Sequence, residues 1–451
     1  MLSRLRHPLV PVAVTILFTI PWLWVFQAYG GYGAVHPGKN ITPVVAVVVA
    51  GLGILGASFI LAWAAETAEK DVPQAFAIAV LAVLAVAPEY AVDALYAWEA
   101  GQGSMKAANL AVANMTGANR ILIGLGWAGI ALFSIYRATR SPDSAVEKRD
   151  GLLADAVSLD RGISLEITFL LAATAFAFLV PLGGGIGPLD TLVLVGLYVL
   201  YLVVIVRGEV EASEAHGSVP TYFQDFSKLG RVVVVLTGFV FSGAVIFTAV
   251  HPFAEGLEQV GLRYGVPEFF MIQWLAPLAS ESPELIVVAY LVNKARSTAG
   301  FNALISSKLN QWTLLIGTLA VVYSISLGSV GTLPFDGKQA AEIWITAAQS
   351  LFAIAILTNF SISAREALLL LGLFASQVLA EFYLVQTYPE ATATALSITV
   401  LYAYTLLYLV LASVVFVRRR QSVQRLLRRT IQDIREALTV RGEQGQPDHA
   451  D

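Results

Sequence analysis

Cysteine is absent from the 451-residue chain, which excludes disulfides, thiolate metal sites and thiol redox chemistry. Charge is scarce. Only 13% of residues are Asp, Glu, Lys or Arg, against about a quarter in soluble domains. The five histidines, His7, His36, His216, His251 and His449, are scattered without metal-ligand spacing, which argues against a zinc or copper centre. No Gly-rich loop runs into Lys-Ser or Lys-Thr, so an ATP-driven pump is not indicated. Nothing in the chain marks an enzyme, a bound cofactor or a nucleic-acid partner.

Hydrophobic length is what the chain does have. Its residues are 57% hydrophobic and its mean hydropathy is +0.71. The apolar runs approach the roughly 20 residues that cross a bilayer as helix. Twelve spans are expected, over 9–28, 42–65, 73–97, 107–136, 163–182, 189–206, 231–251, 267–293, 301–328, 340–358, 365–386 and 392–417. The fold class is therefore an all-α polytopic membrane protein, with lipid as a partner. Arg4 and Arg6 precede the first run as in a signal peptide. The run is long and lacks a clean cleavage pattern, so it reads as a retained helix. Arg137, Arg140, Lys148, Arg149, Arg161, Lys294, Arg296, Arg365 and the arginines after Arg418 fall on alternate loops. By the positive-inside rule both termini are cytoplasmic, and a prokaryotic plasma membrane is the expected location. In the basic tail, Leu426, Leu427, Ile431, Ile434 and Leu438 recur at helical spacing, which predicts an amphipathic helix on the inner leaflet.

Two of the spans carry the same double defect. Pro88-Glu89 lies in the third and Pro283-Glu284 in the eighth, where Glu281 adds a further acid. A carboxylate at this depth costs about 3 kcal/mol on insertion scales, and a mid-helix proline opens the backbone ladder. The surroundings also recur. Glu66 and Glu69 end one helix and Glu255 and Glu258 another. Each Pro-Glu helix is followed by a polar, small-residue helix closing on Gly126 or Gly317. The span count gives the two copies opposite directions. Two inverted five-helix repeats, with one extra helix at each end, is the plan of secondary transporters with a midplane ion site. The expected division is 1–41 for the N-terminal extra helix, 42–207 for the first repeat, 208–230 for a cytoplasmic linker, 231–386 for the second repeat, 387–417 for the C-terminal extra helix and 418–451 for the basic tail.

Ala279-Ser280-Glu281-Ser282-Pro283-Glu284-Leu285 and Asn114-Met115-Thr116-Gly117-Ala118-Asn119 resemble the repeat motifs of the sodium/calcium exchanger family, in the cation/calcium antiporter superfamily. The resemblance covers the two repeat cores and implies a ten-helix exchanger core with Glu89 and Glu284 as its paired glutamates. It departs in the first copy, where Val86-Ala87 replaces the hydroxyl residues, and in the second, where Glu281 stands in place of Ser. The implied function is secondary active antiport of cations. The leading expectation is calcium export in exchange for sodium or protons. A monovalent cation/proton antiporter, a passive channel or carrier, and a transport-inactive homologue are the alternatives.

Calcium takes about six to eight oxygen ligands. Glu89, Glu284, Glu281, Ser280, Asn114, Asn119, Asn310 and Gln311 are the candidates. For the glutamates the plainer reading is a kinked helix with acids paired to Arg or Lys. For the amides and hydroxyls, with Ser282, Ser306 and Ser307, it is hydrogen bonding between helices. Asp93, one turn beyond Glu89, is a candidate for the same pathway. Glu66, Glu69, Glu255 and Glu258 read as a vestibule or as solvated interfacial acids. Arg120 is expected to modulate the site by pairing with Glu281 or Glu284, as an internal cation. The sequence leaves the oligomeric state open.

Overall fold

Long apolar runs become long helices here because a backbone in hydrocarbon must bond to itself. The fold is that of a computed structural model, which describes residues 7–72, 77, 79–80, 83–84, 87–206, 218–265 and 271–443. α1 is Leu9–Ala28 and α2 Pro43–Ala68. α3 is Ala87–Gly101, the described end of the expected 73–97 span. α4, Met105–Ile121, passes through a π-helical turn at Leu122–Trp127 into α5, Ala128–Ala138. α6 is Ser164–Ala177 and α7 Pro188–Val206. The short α8, Ser218–Gln224, precedes α9, Lys228–Arg263. A π-helical turn at Met271–Leu275 leads into α10, Ala276–Ser280, and α11, Ser282–Asn293. α12, Ser297–Asn310, continues through a π-helical turn at Gln311–Leu315 into α13, Ile316–Leu327. α14 is Gly337–Leu357, α15 Ala364–Thr387, α16 Glu390–Arg418 and α17 Arg420–Glu443.

Among the described residues, ten helical stretches are long and apolar enough to span a membrane, and the bent α10–α11 pair makes an eleventh. The span expected at 231–251 is longer than the sequence suggested, because α9 runs 36 residues to Arg263. α2 and α9 pack along each other. Gly51 faces Phe253, Gly238 faces Ala64 and Gly256 faces the Pro43 carbonyl, small residues that let two helices approach closely. Five strands of two or three residues stand outside the all-α expectation. Ala156–Ser158 pairs with Val146–Glu147 and Ser361–Ser363, and Gly185–Ile186 pairs with Leu333–Pro334. They clip connections together and leave the bundle helical.

Contacts between connections sort them onto two faces. On one, Arg231 is ion-paired to Asp71 at 2.7 Å and Ser297 donates to Asp143 at 2.6 Å. His7 stacks edge-on against Tyr222 on this same face. The amphipathic tail helix α17 docks here too. Leu426 and Thr430 are buried, and Asp433 accepts from Ser164 at 3.1 Å. On the opposite face Ser326 donates to the Trp98 carbonyl at 2.6 Å, and Asn109 donates to Asp336 at 2.8 Å. The described ends of the chain therefore share one face.

Candidate ion-binding site

The second Pro-Glu copy breaks its helix as the sequence predicts. Pro283 has no N–H to give the Ala279 carbonyl, so the chain bends by 53° between α10 and α11. Ser282 Oγ donates to that carbonyl instead, at 2.7 Å. Glu281 sits in the break and Glu284 in the first turn of α11. In the first copy, Glu89 lies in the first turn of α3.

The two halves bring these acids together. Glu89, Glu281 and Glu284 are 0–1% exposed, and Glu281 is within hydrogen-bonding distance of both of the others. Carboxyl groups this close hold protons or a cation between them, because bare carboxylates side by side repel. A ring of neutral groups binds them. Ser280 Oγ donates to Glu89 at 3.0 Å, and Asn114 Nδ2 donates to Glu89 at 3.3 Å and to Asp93 at 3.0 Å. Ser307 Oγ donates to Glu284 and Gln311 Nε2 to Glu281, each at 2.6 Å. Among the described residues no three acids or histidines converge in metal-ligand geometry. Hydroxyls and amides surround the acids, an oxygen-rich set suited to a hard cation.

Two of the expected ligands point elsewhere. Asn119 donates to the Met115 carbonyl at 2.8 Å, and its Oδ1 accepts from Lys308 Nζ at 2.8 Å. Asn310 Oδ1 accepts from Tyr90 at 2.6 Å. Both belong to an outer layer. Lys308 is fully buried, lies over the Trp312 ring at 4.3 Å and is within electrostatic range of Glu281. Sequence reasoning missed it, although a lone lysine inside a buried membrane helix is a signal in itself.

The expected partner of Arg120 is wrong. Arg120 is fully buried, but it is ion-paired with Glu342 of α14. It also donates to Gln377 at 3.2 Å and covers the Trp274 ring at 4.6 Å. The physical reason is helical phase. Adjacent residues diverge by about 100° around a helix, so Arg120 points to α14 and α15 while Asn119 points to Lys308. The buried base beside the acids is Lys308.

Glu66 and Glu69 are closed off rather than solvated. Arg296 pairs with Glu66 at 2.5 Å and Glu69 at 2.9 Å, and all three are buried. Tyr290 donates to Glu66 at 3.3 Å. Glu255 is half-buried. The side chain of Glu258 lies outside the described residues.

The family model described as "Sodium/calcium exchanger protein" matches residues 42–207 and 234–383. The chain belongs to the sodium/calcium exchanger family. It is a membrane protein of the cation/calcium exchanger superfamily, a transporter and not an enzyme. The exchanger chain is 41% identical to the H+/Ca2+ exchanger CAX in its crystal structure. That match has a TM-score of 0.76 and covers 94% of this chain and 97% of that one. Structures of the sodium-calcium exchanger NCX_Mj, soaked with Na+ and Sr2+, share the fold at 17–18% identity. Two of them have TM-scores of 0.53 and 0.54 and cover 75% of this exchanger chain. No curated protein sequence matches.

Proposed function

We propose that this exchanger moves calcium out of the cell in exchange for protons, by alternating access at Glu89, Glu281 and Glu284. The observation that carries the reading is the contact of three buried carboxyl groups from two halves of the chain. Among the described residues of this site, four buried acids, Glu89, Asp93, Glu281 and Glu284, stand against one buried base, Lys308. With Lys308 charged, the excess is three negative charges (four minus one). One calcium ion or two protons leave the same residual charge, so each can replace the other without stranding charge in a low-dielectric interior.

Ser280, Ser307, Asn114 and Gln311 already bond the carboxylates and are the neutral ligands of this reading. Asn119 and Asn310 hold the outer layer. The freed backbone at the α10–α11 bend supplies further oxygens. The matched segments 42–207 and 234–383 support two repeats, 42–207 and 231–386, joined by the linker 208–230. The face that gathers the basic connections is the cytoplasmic one. The 41% identity to an H+/Ca2+ exchanger supports protons over sodium.

Calcium uptake into vesicles against imposed proton, sodium or potassium gradients tests this. The expected result is uptake driven by a pH gradient and indifferent to sodium and potassium. Uptake that follows sodium at constant pH would assign the exchange to sodium. Uptake that needs no counter-gradient would assign the site to a passive carrier.

A further inference from the structure

Arg120 leads away from the exchange site to a second buried charge cluster, between α4, α14 and α15. Its guanidinium is paired with Glu342 and donates to Gln377 Oε1 at 3.2 Å. One turn beyond Gln377 stands Glu381, 1% exposed. Among the described residues neither of its carboxyl oxygens makes a hydrogen bond. Gln377 is also 1% exposed, and its Nε2, which is bonded to no other group, lies within reach of that carboxyl.

The charged and titratable groups around Glu381 are few. Arg120 faces it from α4, and Lys338 and Glu342 face it from α14. Tyr408 of α16 faces Arg120. Glu342 holds Arg120, which leaves Lys338 as the further cation facing Glu381, and an ionised Glu381 would still be a buried carboxylate with no hydrogen-bond donor on either oxygen, a costly arrangement at this depth.

The cluster is mechanically tied to the exchange site. Gln273 Nε2 donates to Glu342 at 2.8 Å. Gln273 lies in the π-helical turn leading into Ser280 and Glu281. Its backbone carbonyl rests against Gly117 of α4, where a side chain would collide.

We propose that Glu381 is a second proton-binding site, separate from the central carboxyls, and that it reports its protonation to the broken helix through Arg120, Glu342 and Gln273. Protonated, Glu381 leaves Arg120 to Glu342, and Gln273 stays held. Ionised, it competes for the guanidinium, and the Glu342–Gln273 bond loosens. Coupling to exchange rests on the proton-exchange reading above. Proton binding at Glu381 does not.

The test is infrared difference spectroscopy of the calcium-free, full-length protein in lipid, titrated with pH. The protein is expected to show a protonated-carboxyl band, from which Glu381→Gln removes a component that Glu89→Gln leaves in place. Identical spectra for the parent protein and Glu381→Gln would overturn the proposal. So would a component that sodium removes at constant pH, which would assign the carboxyl to a metal cation. If Glu381→Gln fails to fold, Gln377→Leu is expected to move that component's midpoint by about one pH unit, and an unmoved midpoint overturns the proposal. In vesicles, Glu381→Gln is expected to shift the pH dependence of calcium uptake by a similar amount. An equal loss of rate at every pH would reduce Glu381 to a structural role. Sodium-driven uptake with the band intact would refute proton exchange and leave the proton site standing.

Discussion

Replacing Arg296 with Gln should both destabilise the protein and unlock one face of it. Arg296 ties the end of α2, through Glu66 at 2.5 Å and Glu69 at 2.9 Å, to the turn between α11 and α12. All three side chains are buried. Removing one partner of such a pair leaves a buried charge uncompensated, at a cost of about 3–5 kcal/mol. Here two carboxylates lose their cation, and Tyr290, which donates to Glu66 at 3.3 Å, cannot replace it. If the full cost falls on this conformation, its weight against alternatives that hydrate the acids drops by about a hundredfold to a thousandfold. Since unfolding of a membrane protein is read as a rate, the assay is the half-life of the folded protein at fixed temperature. Labelling of single cysteines placed along α2 reads the opening, and the cysteine-free parent makes every label unambiguous. The triple variant Glu66→Gln, Glu69→Gln, Arg296→Gln should recover most of the lost half-life, because no charge is stranded. A single variant as durable as the parent would refute the reasoning. So would a triple variant no better than the single one.

Ser307→Ala removes a 2.6 Å bond to a buried carboxylate. At about 1.5–3 kcal/mol for a hydrogen bond to a charged group, calcium affinity should fall by roughly tenfold to a hundredfold, read by calcium titration. Gly117→Val sets a side chain against the Gln273 carbonyl and should cost about 1–3 kcal/mol from overpacking. A normal thermal half-life in that variant would show that α4 and the broken helix are not in contact. Lys308→Met takes a buried positive charge from beside Glu281. It should tighten calcium at least about tenfold, because a full charge outweighs packing in a low-dielectric site. Unchanged affinity would place Lys308 outside the field of the site.

The helical bundle and the break at Pro283 were legible because each rests on a local signal. Apolar length dictates a span, and Pro283 dictates a bend wherever it sits in a helix. The meeting of Glu89 with Glu281 and Glu284 was legible from the recurrence, since two copies of one defect, expected to be inverted, would have an interface to share. Partner choice was not legible. Arg120 and Asn119 are adjacent in sequence and part by helical phase, so only the neighbours of α4 decide that one meets Glu342 and the other Lys308. Lys308 was hidden among residues read as neutral ligands. Glu66 and Glu69 read as a vestibule or as solvated acids because Arg296, which seals them, comes from a turn more than two hundred residues away. The short strands carry two or three residues each, too few for a period to show.

The central claim is that calcium and protons compete for Glu89, Glu281 and Glu284. Proton release on calcium binding, measured with a pH indicator in weakly buffered solution on the purified protein, addresses it directly. The account predicts about two protons released per calcium bound near neutral pH, from the charge balance at the site. It also predicts loss of both binding and release in Glu89→Gln and Glu284→Gln. Calcium binding with no proton release, or full release in either variant, would contradict it.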